Sequence, residues 1–342
     1  MELATEFTAM TQPLSMKAAV LHDHGAPFEY APVDRPFAAA GQVLVRVIAS
    51  AVNPLDLKIR AGTAAHARHP LPAILGIDLA GVVEAVGADV DRFQIGDEVY
   101  GMTGGVGGVQ GSLAEFAAVD ANLLAHKPAR LTMREAAAVP LIFITAWEGL
   151  VDRARIQPGQ TVLVQGGAGG VGHVAIQIAR AFGAEVCATA SADKLDLVNQ
   201  LGATAIDYRA MTVDDYVARH SGGRGFDIVY DSVGGASLDA SFRAVARFGH
   251  VVSSLGWGTH VLAPLSFRAA SYSGVFTLLP LLTGEGRAHH GEILREATRL
   301  AESGKIKPRL DPRHFSLAEV GEAYALLENN AARGKVVIDI AA

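Results

Sequence analysis

The chain has 342 residues, of which 50% are hydrophobic and 19% charged, and its formal net charge is −6. This length exceeds the size at which a single hydrophobic core stops growing, so we expect two domains. The acidic balance and the lack of any Lys/Arg cluster argue against a nucleic-acid partner, and no apolar run approaches the roughly 20 residues that would predict a membrane partner.

The first part of the chain predicts a mostly β domain. Residues 1–15 lack the basic and the long apolar segments of a signal peptide. We interpret them as an N-terminal extension, with an alternative start at Met16 as the other interpretation. Short apolar strands punctuated by Gly and Pro then continue to about Ala121. The predicted strands are 17–21, 42–50, 79–86, 98–100 and 112–119. The glycine-rich stretch 104–111 precedes a strand, so we interpret it as a flexible loop and not as a phosphate-binding turn.

Helical periodicity begins at Thr132. Glu135 follows three residues later, which is the spacing of a capping box and predicts a helix start at Thr132. We expect Pro140 to interrupt this helix and a second helix to resume over 144–151.

The stretch 161–182 predicts a strand, a tight turn and a helix. Gly167, Gly169 and Gly172 have the G-x-G-x-x-G spacing. The first glycine is expected to permit the turn, the second to let the backbone approach a pyrophosphate, and the third to let the helix pack closely on the strand. The N-terminus of such a helix attracts anions. A second strand follows the helix, so this stretch predicts a dinucleotide-binding βαβ unit.

Strands and helices alternate after this motif, which predicts a parallel sheet covered on both faces. The predicted strands are 185–189, 205–208, 227–231, 250–255 and 272–279, and the final strand is 335–340. The predicted helices are 194–201, 213–220, 237–248, 290–303 and 317–329. The one cysteine, Cys187, lies in a predicted buried strand. A single cysteine rules out an internal disulfide framework, which fits a reducing, cytoplasmic setting.

The end of the second strand of this unit bears on the choice of cofactor. An NAD site usually has Asp or Glu about 20 residues past the glycines, where the carboxylate binds the ribose 2′-hydroxyl. Thr189, Ala190 and Ser191 occupy that place here, and none of them is acidic. The sequence therefore removes a barrier to the 2′-phosphate of NADP.

Several motifs together resemble the medium-chain dehydrogenase/reductase superfamily, and within it the zinc-independent quinone oxidoreductase branch that includes zeta-crystallin. The motifs are Val52-Asn53-Pro54-Leu55-Asp56, the stretch 76–83 that begins Gly-Ile-Asp, the stretches 96–99 and 123–128, the glycine turn 166–172, Asp231-Ser232-Val233-Gly234 and Gly334-Lys335-Val336-Val337. The resemblance implies a GroES-like β domain over 16–138 and 285–342, with a Rossmann domain inserted over 139–284. It also implies a cleft between them and a homodimer formed by pairing the strand 272–279 across subunits.

The resemblance also bears on metal chemistry. Zinc enzymes of the superfamily carry histidine where this chain has Ile77, and their cysteine ligands and four-cysteine lobe are missing here. Catalytic zinc needs three protein ligands, so we expect no metal and disfavour a zinc-dependent alcohol dehydrogenase. We interpret the histidine pairs 22/24, 66/69 and 289/290 as surface residues of polar, loop-like stretches.

The resemblance implies an NADPH-dependent reductase that delivers hydride to a quinone or to an α,β-unsaturated carbonyl compound. Asn53 and Lys58 are the candidate catalytic residues, as donors to the acceptor oxygen, and Lys58 stands where the family often has tyrosine. The implied cofactor-binding residues are Thr145, Gly167, Gly169, Gly170, Val171, Gly172, Ser191, Lys194, Tyr208 and Leu255. Ile142, Phe143, Leu255 and Trp257 are candidates for an apolar wall around the acceptor. A non-catalytic, crystallin-like NADPH-binding protein is the further alternative.

Overall fold

The computed structural model describes residues 15–341. The predicted extension 1–15 therefore lies outside the described residues, except for Ser15, which begins the first strand. The strands divide between a mostly antiparallel part and a wholly parallel sheet. The predicted combination of a GroES-like β domain with a Rossmann-type parallel sheet is confirmed.

The antiparallel part contains both the beginning and the end of the described chain. Its strands, numbered in chain order, are β1 (Ser15–Leu21), β2 (Glu29–Asp34), β3 (Gln42–Ala51), β4 (Ala73–Ile74), β5 (Asp78–Val86), β6 (Glu98–Met102), β7 (Phe116–Asp120), β8 (Leu124–His126), β15 (Phe315–Ser316) and β16 (Val337–Asp339). Its helices are α1 (Pro54–Arg60) and α11 (Val320–Glu328). Among the described residues, β2, β1 and β4 form one sheet, and β15, β16, β3, β5, β6 and β8 follow one another in a second, with β7 also paired to β3.

The C-terminal segment returns to the middle of this second sheet. Strand β16 pairs antiparallel with β3, and Val337 lies opposite Ala51. The N–H of Val52 donates to the carbonyl of Val336 at 2.9 Å. This pairing brings Lys335 beside Asn53, although 282 positions separate the two residues in the sequence.

Two helices connect the antiparallel part to the parallel sheet, namely α2 (Met133–Ala137) and α3 (Pro140–Trp147). Thr132 caps α2 in a capping box with Glu135, as predicted. The predicted interruption at Pro140 is confirmed, because α2 ends at Ala137 and a separate helix begins at Pro140, where the missing N–H of proline is not needed. The predicted start of the second helix at residue 144 is wrong, since α3 begins at Pro140. The helix continues over Glu148–Arg153 as a π-helix.

The parallel sheet has the strand order of a dinucleotide-binding fold. Its strands are β9 (Thr161–Gln165), β10 (Glu185–Ala190), β11 (Thr204–Asp207), β12 (Phe226–Asp231), β13 (Val245–Ser253) and β14 (Ser271–Gly274). The helices of this region are α4 (Gly170–Ala181), α5 (Leu195–Gln200), α6 (Val213–Ser221), α7 (Ala236–Ala244), α8 (Ala263–Ser266) and α9 (Leu279–Thr283). The next helix, α10 (Arg287–Glu302), packs against β8 of the antiparallel part and against α3. Within the described residues the spatial order is β11-β10-β9-β12-β13-β14, so the direction reverses between β9 and β12.

Several predicted elements have wrong bounds; the predicted strand 112–119, for example, begins only at Phe116. The predicted helix 237–248 ends at Ala244, because the following residues pair in register with β12 and form β13. Only the first part of the predicted strand 272–279 forms β14, and Pro280 then lies in the first turn of α9. The predicted helix 290–303 begins earlier, at Arg287.

The surface interpretation of the histidine pair 289/290 is wrong for His290. Both residues belong to α10, and His290 is buried, with Nε2 3.3 Å from Oε1 of Glu148. The packing of α10 against α3 buries this face of the helix. In residues 15–341, no helix combines the length and the apolar character that crossing a membrane requires.

Candidate active site

A cavity of about 1190 Å³ lies between the antiparallel part and the parallel sheet. It follows the carboxyl ends of β9, β10 and β12, including the point where the strand order reverses. This crevice is the usual binding place in open α/β sheets. The antiparallel part contributes Asn53, Lys58, His66 and Lys335 to its lining.

The glycine turn forms one wall of the cavity. The residue with left-handed backbone is Gly166, whose φ is +76°, so the turning role predicted for Gly167 belongs to its neighbour. Gly167 is needed for packing, since a Cβ there would lie 2.6 Å from the Cβ of Ala188. Five residues of the turn line the cavity, namely Gly166, Ala168, Gly169, Gly170 and Val171. Gly167 and Gly172, which were predicted to bind the cofactor, are not in its lining.

The start of α4 faces the cavity. Gly169 is its N-cap residue, and no side chain caps the N–H groups of its first turn. These N–H groups and the positive end of the helix dipole make the turn an anion-binding site. A Cβ at Gly172 would lie 2.1 Å from the carbonyl oxygen of Gly166, so this glycine keeps α4 close to the turn, as predicted.

The end of the cavity beside the carboxyl ends of β10 and β11, called the far end below, is rich in cationic side chains. Ser191, Lys194 and Tyr208 all line it, and the structure thus brings the predicted phosphate-binding residues together. Arg209 and Arg243 line the same end and were missed. Arg209 follows Tyr208 directly and could have been found from that position, whereas Arg243 on α7 gives no local signal.

Thr145 lies under the middle of the cavity on α3. Its hydroxyl donates to the carbonyl of Leu141 at 2.6 Å and lies 3.0 Å from Oγ1 of Thr277. Since the only hydroxyl proton of Thr145 is used by Leu141, its remaining capacity is to accept a hydrogen bond. Thr145 can therefore receive a proton donor such as a ribose hydroxyl.

Asn53 lies at the floor of the cavity with its side chain engaged by the protein. Its Nδ2 donates to Oδ2 of Asp78 at 2.9 Å and is 3.5 Å from the carbonyl of Ala51, while its Oδ1 accepts from Nζ of Lys335. Both amide protons thus have acceptors in this structure. Donation by Asn53 to an acceptor oxygen remains a prediction, and it would require one of these bonds to break.

Asp78 and Lys335 complete this floor and were missed as site residues. Both lie in motifs that carried the family resemblance, which was the available signal. Asp78 is fully buried, and its Oδ1 accepts from the N–H of Leu141 at 2.9 Å, in the first turn of α3. Burial raises the pKa of Asp78 to about 6, against the lowering influence of the Lys335 charge. Burial likewise lowers the pKa of Lys335.

A second buried carboxyl group lies behind this floor. Oδ2 of Asp56 accepts from the backbone N–H of Asn53 at 2.8 Å, which closes the first turn of α1. Its Oδ1 is buried with no hydrogen-bond partner among the described residues. Burial raises the pKa of Asp56 to about 7, so the group titrates near neutral pH and limits the negative charge under the site.

The opposite end of the cavity, beside α1 and called the near end below, is lined by apolar side chains and has one cationic side chain at its edge. Ile142, Leu255 and Trp257 line it, as the predicted acceptor wall requires. Phe143 does not, because it is buried and stacks on Trp147 with ring centroids 5.7 Å apart. Lys58 is exposed at this end on α1.

An imidazole from the antiparallel part joins the aromatic side chains of the parallel-sheet part at the cavity mouth. The ring of His66 lies 5.4 Å from that of Trp257 and 6.1 Å from that of Phe276, measured between centroids. Trp257 is nevertheless 55% exposed, so a large aromatic surface remains available inside the mouth. Such a surface suits a planar apolar molecule.

Comparison with known proteins identifies the family. Residues 39–129 match the alcohol dehydrogenase GroES-like domain, and residues 201–338 match the family described as zinc-binding dehydrogenase. The chain is 39% identical to 2-methylene-furan-3-one reductase of Solanum lycopersicum, over 97% of this chain and 81% of that protein. It is 37% identical to a chloroplastic NADPH-dependent alkenal/one oxidoreductase of Arabidopsis thaliana, over 95% of this chain and 80% of that protein.

A solved structure extends this relationship to the fold. The crystal structure of an alcohol dehydrogenase superfamily protein from Novosphingobium aromaticivorans is 63% identical, with a TM-score of 0.94, and the match covers 95% of this chain and 100% of that one. Sequence and fold thus agree over nearly the whole described chain. The chain belongs to the medium-chain dehydrogenase/reductase superfamily.

Proposed function

We propose that this protein is a zinc-independent, NADPH-dependent reductase of α,β-unsaturated carbonyl compounds or quinones, of the zeta-crystallin-like branch. The observation that carries the proposal is that one cavity joins an anion-binding glycine turn, a cationic far end and an apolar near end. The named activities of the tomato and Arabidopsis relatives, a furanone reductase and an alkenal/one oxidoreductase, support the same class of substrate.

The residues of the cavity fit NADPH along its length. Lys194, Arg209 and Tyr208 would hold the 2′-phosphate, the start of α4 would hold the pyrophosphate, and Thr145 would accept from the ribose near the nicotinamide. When bound, the nicotinamide supplies hydride from its C4 to an acceptor that is already electrophilic.

The near end of the cavity would orient the acceptor and exclude water. Ile142, Leu255 and Trp257 offer apolar contact for the conjugated part of the substrate. Negative charge develops on the acceptor oxygen as hydride arrives, and a cationic donor there lowers the barrier. We assign that donation to Lys58, which is free to reorient at the cavity edge. For Asn53, the bonds to Asp78 and Lys335 favour a positioning role.

The residues present do not fit a catalytic zinc ion. The position of the zinc-binding histidine is Ile77, which is fully buried and apolar. Among residues 15–341, no three His, Cys, Asp or Glu side chains are grouped so that they could hold a metal ion. The zinc-dependent alcohol dehydrogenase alternative is therefore disfavoured, and no step of the proposal uses a metal.

The test of this proposal is NADPH oxidation at 340 nm by chelator-treated protein, with quinones and α,β-unsaturated ketones as acceptors. We expect turnover with NADPH and little with NADH. Lys194→Ala should raise the KM for NADPH about tenfold or more, the usual worth of a charged hydrogen bond, and should leave NADH turnover unchanged. Lys305→Ala, an exposed lysine outside the cavity, is the matched control.

Other outcomes would select the alternatives. Turnover that appears only after zinc is added would support the alcohol dehydrogenase. Tight NADPH binding without turnover of any acceptor would support the non-catalytic, crystallin-like protein.

The domain division 16–138 with 285–342 and 139–284 is also part of the proposal. All paired strands of the parallel sheet lie within 139–284, and those of the antiparallel part lie within 16–138 and 285–342, apart from Ser15 at the start of β1. A cytoplasmic location is supported by the single cysteine, half-buried Cys187, which leaves no internal disulfide to form.

We further propose a homodimer that pairs β14 across subunits. This strand is one of the two edge strands of the parallel sheet in the described residues, the other being β11, and a free edge invites pairing with a second copy. Phe267, close before it in the chain, is 84% exposed. Light scattering should give twice the mass of one chain, and Phe267→Glu should give monomers. Phe37→Glu, an equally exposed position on the other domain, should remain dimeric; a monomeric wild type would contradict the proposal.

A further inference from the structure

A short turn of the antiparallel part places His66 at the mouth of the cavity. Residues 65–67 form a single 3₁₀ turn, in which Ala67 and the preceding Ala64 are buried. The N–H of Gly107 donates to the carbonyl of Ala67 at 2.8 Å, which fixes the turn to the neighbouring glycine-rich loop. With its buried side held in this way, the turn leaves His66 exposed on the cavity side, where it lines the wall.

Ring contacts hold the imidazole of His66 in place. Its centroid lies 5.4 Å from that of Trp257, with 31° between the two ring planes, and 6.1 Å from that of Phe276. Among the described residues, neither ring nitrogen of His66 takes part in a hydrogen bond or an ion pair. Both nitrogens are therefore available to a molecule bound in the cavity.

The same contacts place His66 across the cavity from the predicted nicotinamide end. Phe276 directly precedes Thr277, whose Oγ1 lies 3.0 Å from Oγ1 of Thr145. Thr145 belongs to α3, on the side of the parallel sheet, whereas His66 enters from the antiparallel part. An acceptor bound between the two walls has the cofactor on one face and the imidazole on the other.

The proposed reduction needs a proton as well as a hydride. Hydride from C4 of the nicotinamide forms a C–H bond at the β-carbon of the unsaturated ketone, and the electron pair of the C=C bond moves toward the carbonyl to give an enolate. The α-carbon must then receive a proton. A positioned acid transfers it best when that acid gives up and regains a proton near the working pH.

The near end of the cavity offers two titratable side chains for this step, Lys58 and His66. Lys58 is already assigned to the acceptor oxygen, where an ammonium acts through its charge. An ammonium keeps its proton near neutral pH, whereas an imidazolium releases it readily in that range. The chemistry of the two groups therefore assigns the oxygen to Lys58 and the α-carbon to His66.

We propose that His66 is the general acid of the reduction and delivers a proton to the α-carbon of the acceptor, on the face opposite to the nicotinamide. An N–H bond of the imidazolium breaks as the C–H bond forms, so NADPH, one proton and the unsaturated ketone become NADP⁺ and the saturated ketone. Water then returns a proton to the neutral imidazole. This inference rests on the proposed function and adds to it the source of the proton.

The test is the reduction of 2-methylcyclohex-2-enone, because protonation of its α-carbon creates a stereocentre. The wild type should give one enantiomer of the saturated ketone in excess, measured by chiral gas chromatography. His66→Phe keeps a ring beside Trp257 but has no proton to give. It should lower kcat about 100-fold or more, leave the Kd for NADPH unchanged, and give both enantiomers, because water can protonate either face.

Two further variants separate proton transfer from packing. His66→Ala removes both the ring and the proton, and imidazole added to the assay should restore part of its kcat. His22→Ala, at an exposed histidine of the antiparallel part outside the cavity, is the matched control and should behave as the wild type. Urea unfolding shows whether each variant is folded, and His66→Gln replaces His66→Phe if the latter is not.

The outcomes distinguish this inference from the proposed function. Wild-type kcat in a folded His66→Phe protein, the same enantiomer excess in that variant, or equal amounts of both enantiomers from the wild type would overturn the role of His66 alone. Loss of turnover in His66→Ala that imidazole does not restore would assign the effect to packing and overturn it as well. A wild-type protein that reduces neither enones nor quinones would overturn the proposed function together with this inference.

Discussion

Gly172→Ala is expected to abolish tight NADPH binding and to lower the free energy of unfolding. The new Cβ would lie 2.1 Å from the carbonyl oxygen of Gly166 and 2.9 Å from the Cα of Gly167, and backbone atoms cannot move aside alone. The start of α4 must therefore shift away from the turn. Hydrogen bonds from the N–H groups of α4 to a charged pyrophosphate are worth about 1.5–3 kcal/mol each, so losing one weakens binding roughly 10- to 100-fold, and overpacking costs about 1–3 kcal/mol in stability.

The matched control for this change is Gly321→Ala. Gly321 also lies near the start of a helix, α11, but a Cβ there meets no atom within 4 Å. It should leave NADPH affinity unchanged and stabilise the fold by about 0.4–1 kcal/mol, because alanine restricts the unfolded chain. Calorimetric binding and urea unfolding measure both effects. A Gly172→Ala protein with wild-type affinity would show that the helix position does not control the anion site.

Asp78→Ala is expected to cost about 3–5 kcal/mol of unfolding free energy, the usual result of removing one partner from a buried charge pair. The change leaves the Lys335 ammonium without its nearby carboxylate and the Asn53 amide without its main acceptor. It also removes the acceptor for the N–H of Leu141 at the start of α3. All three losses occur in buried surroundings, where water does not replace the missing partner.

Urea unfolding at constant pH measures this loss as a lower midpoint with an unchanged slope. Asp91→Ala, an exposed aspartate of the same domain, is the control and should change stability by less than about 0.5 kcal/mol. If Asp78→Ala behaved like this control, the polar floor of the cavity would not be a structural centre of the protein.

Local signals were sufficient for much of the fold. The capping box at Thr132 and the strand, turn and helix of 161–182 depend on contacts between residues a few positions apart, so spacing alone determines them. Ser191, Lys194 and Tyr208, which the family resemblance implied, follow consecutive parallel strands and therefore reach one end of one cavity. Motif spacing also carried the family resemblance that the comparisons confirmed at the superfamily level.

Contacts between distant parts of the chain determined the features that short-range sequence patterns could not predict. Apolar periodicity continues past Ala244, yet pairing with β12 converts the next residues into a strand. Packing of α10 on α3 buries His290, whose local sequence is polar. The sequence by itself determined the two-domain class, the glycine turn and the cationic end of the cavity. Only the tertiary structure decided that Asn53, Asp78 and Lys335 share one buried network, because residues separated by up to 282 positions meet only when the C-terminal strand pairs with β3.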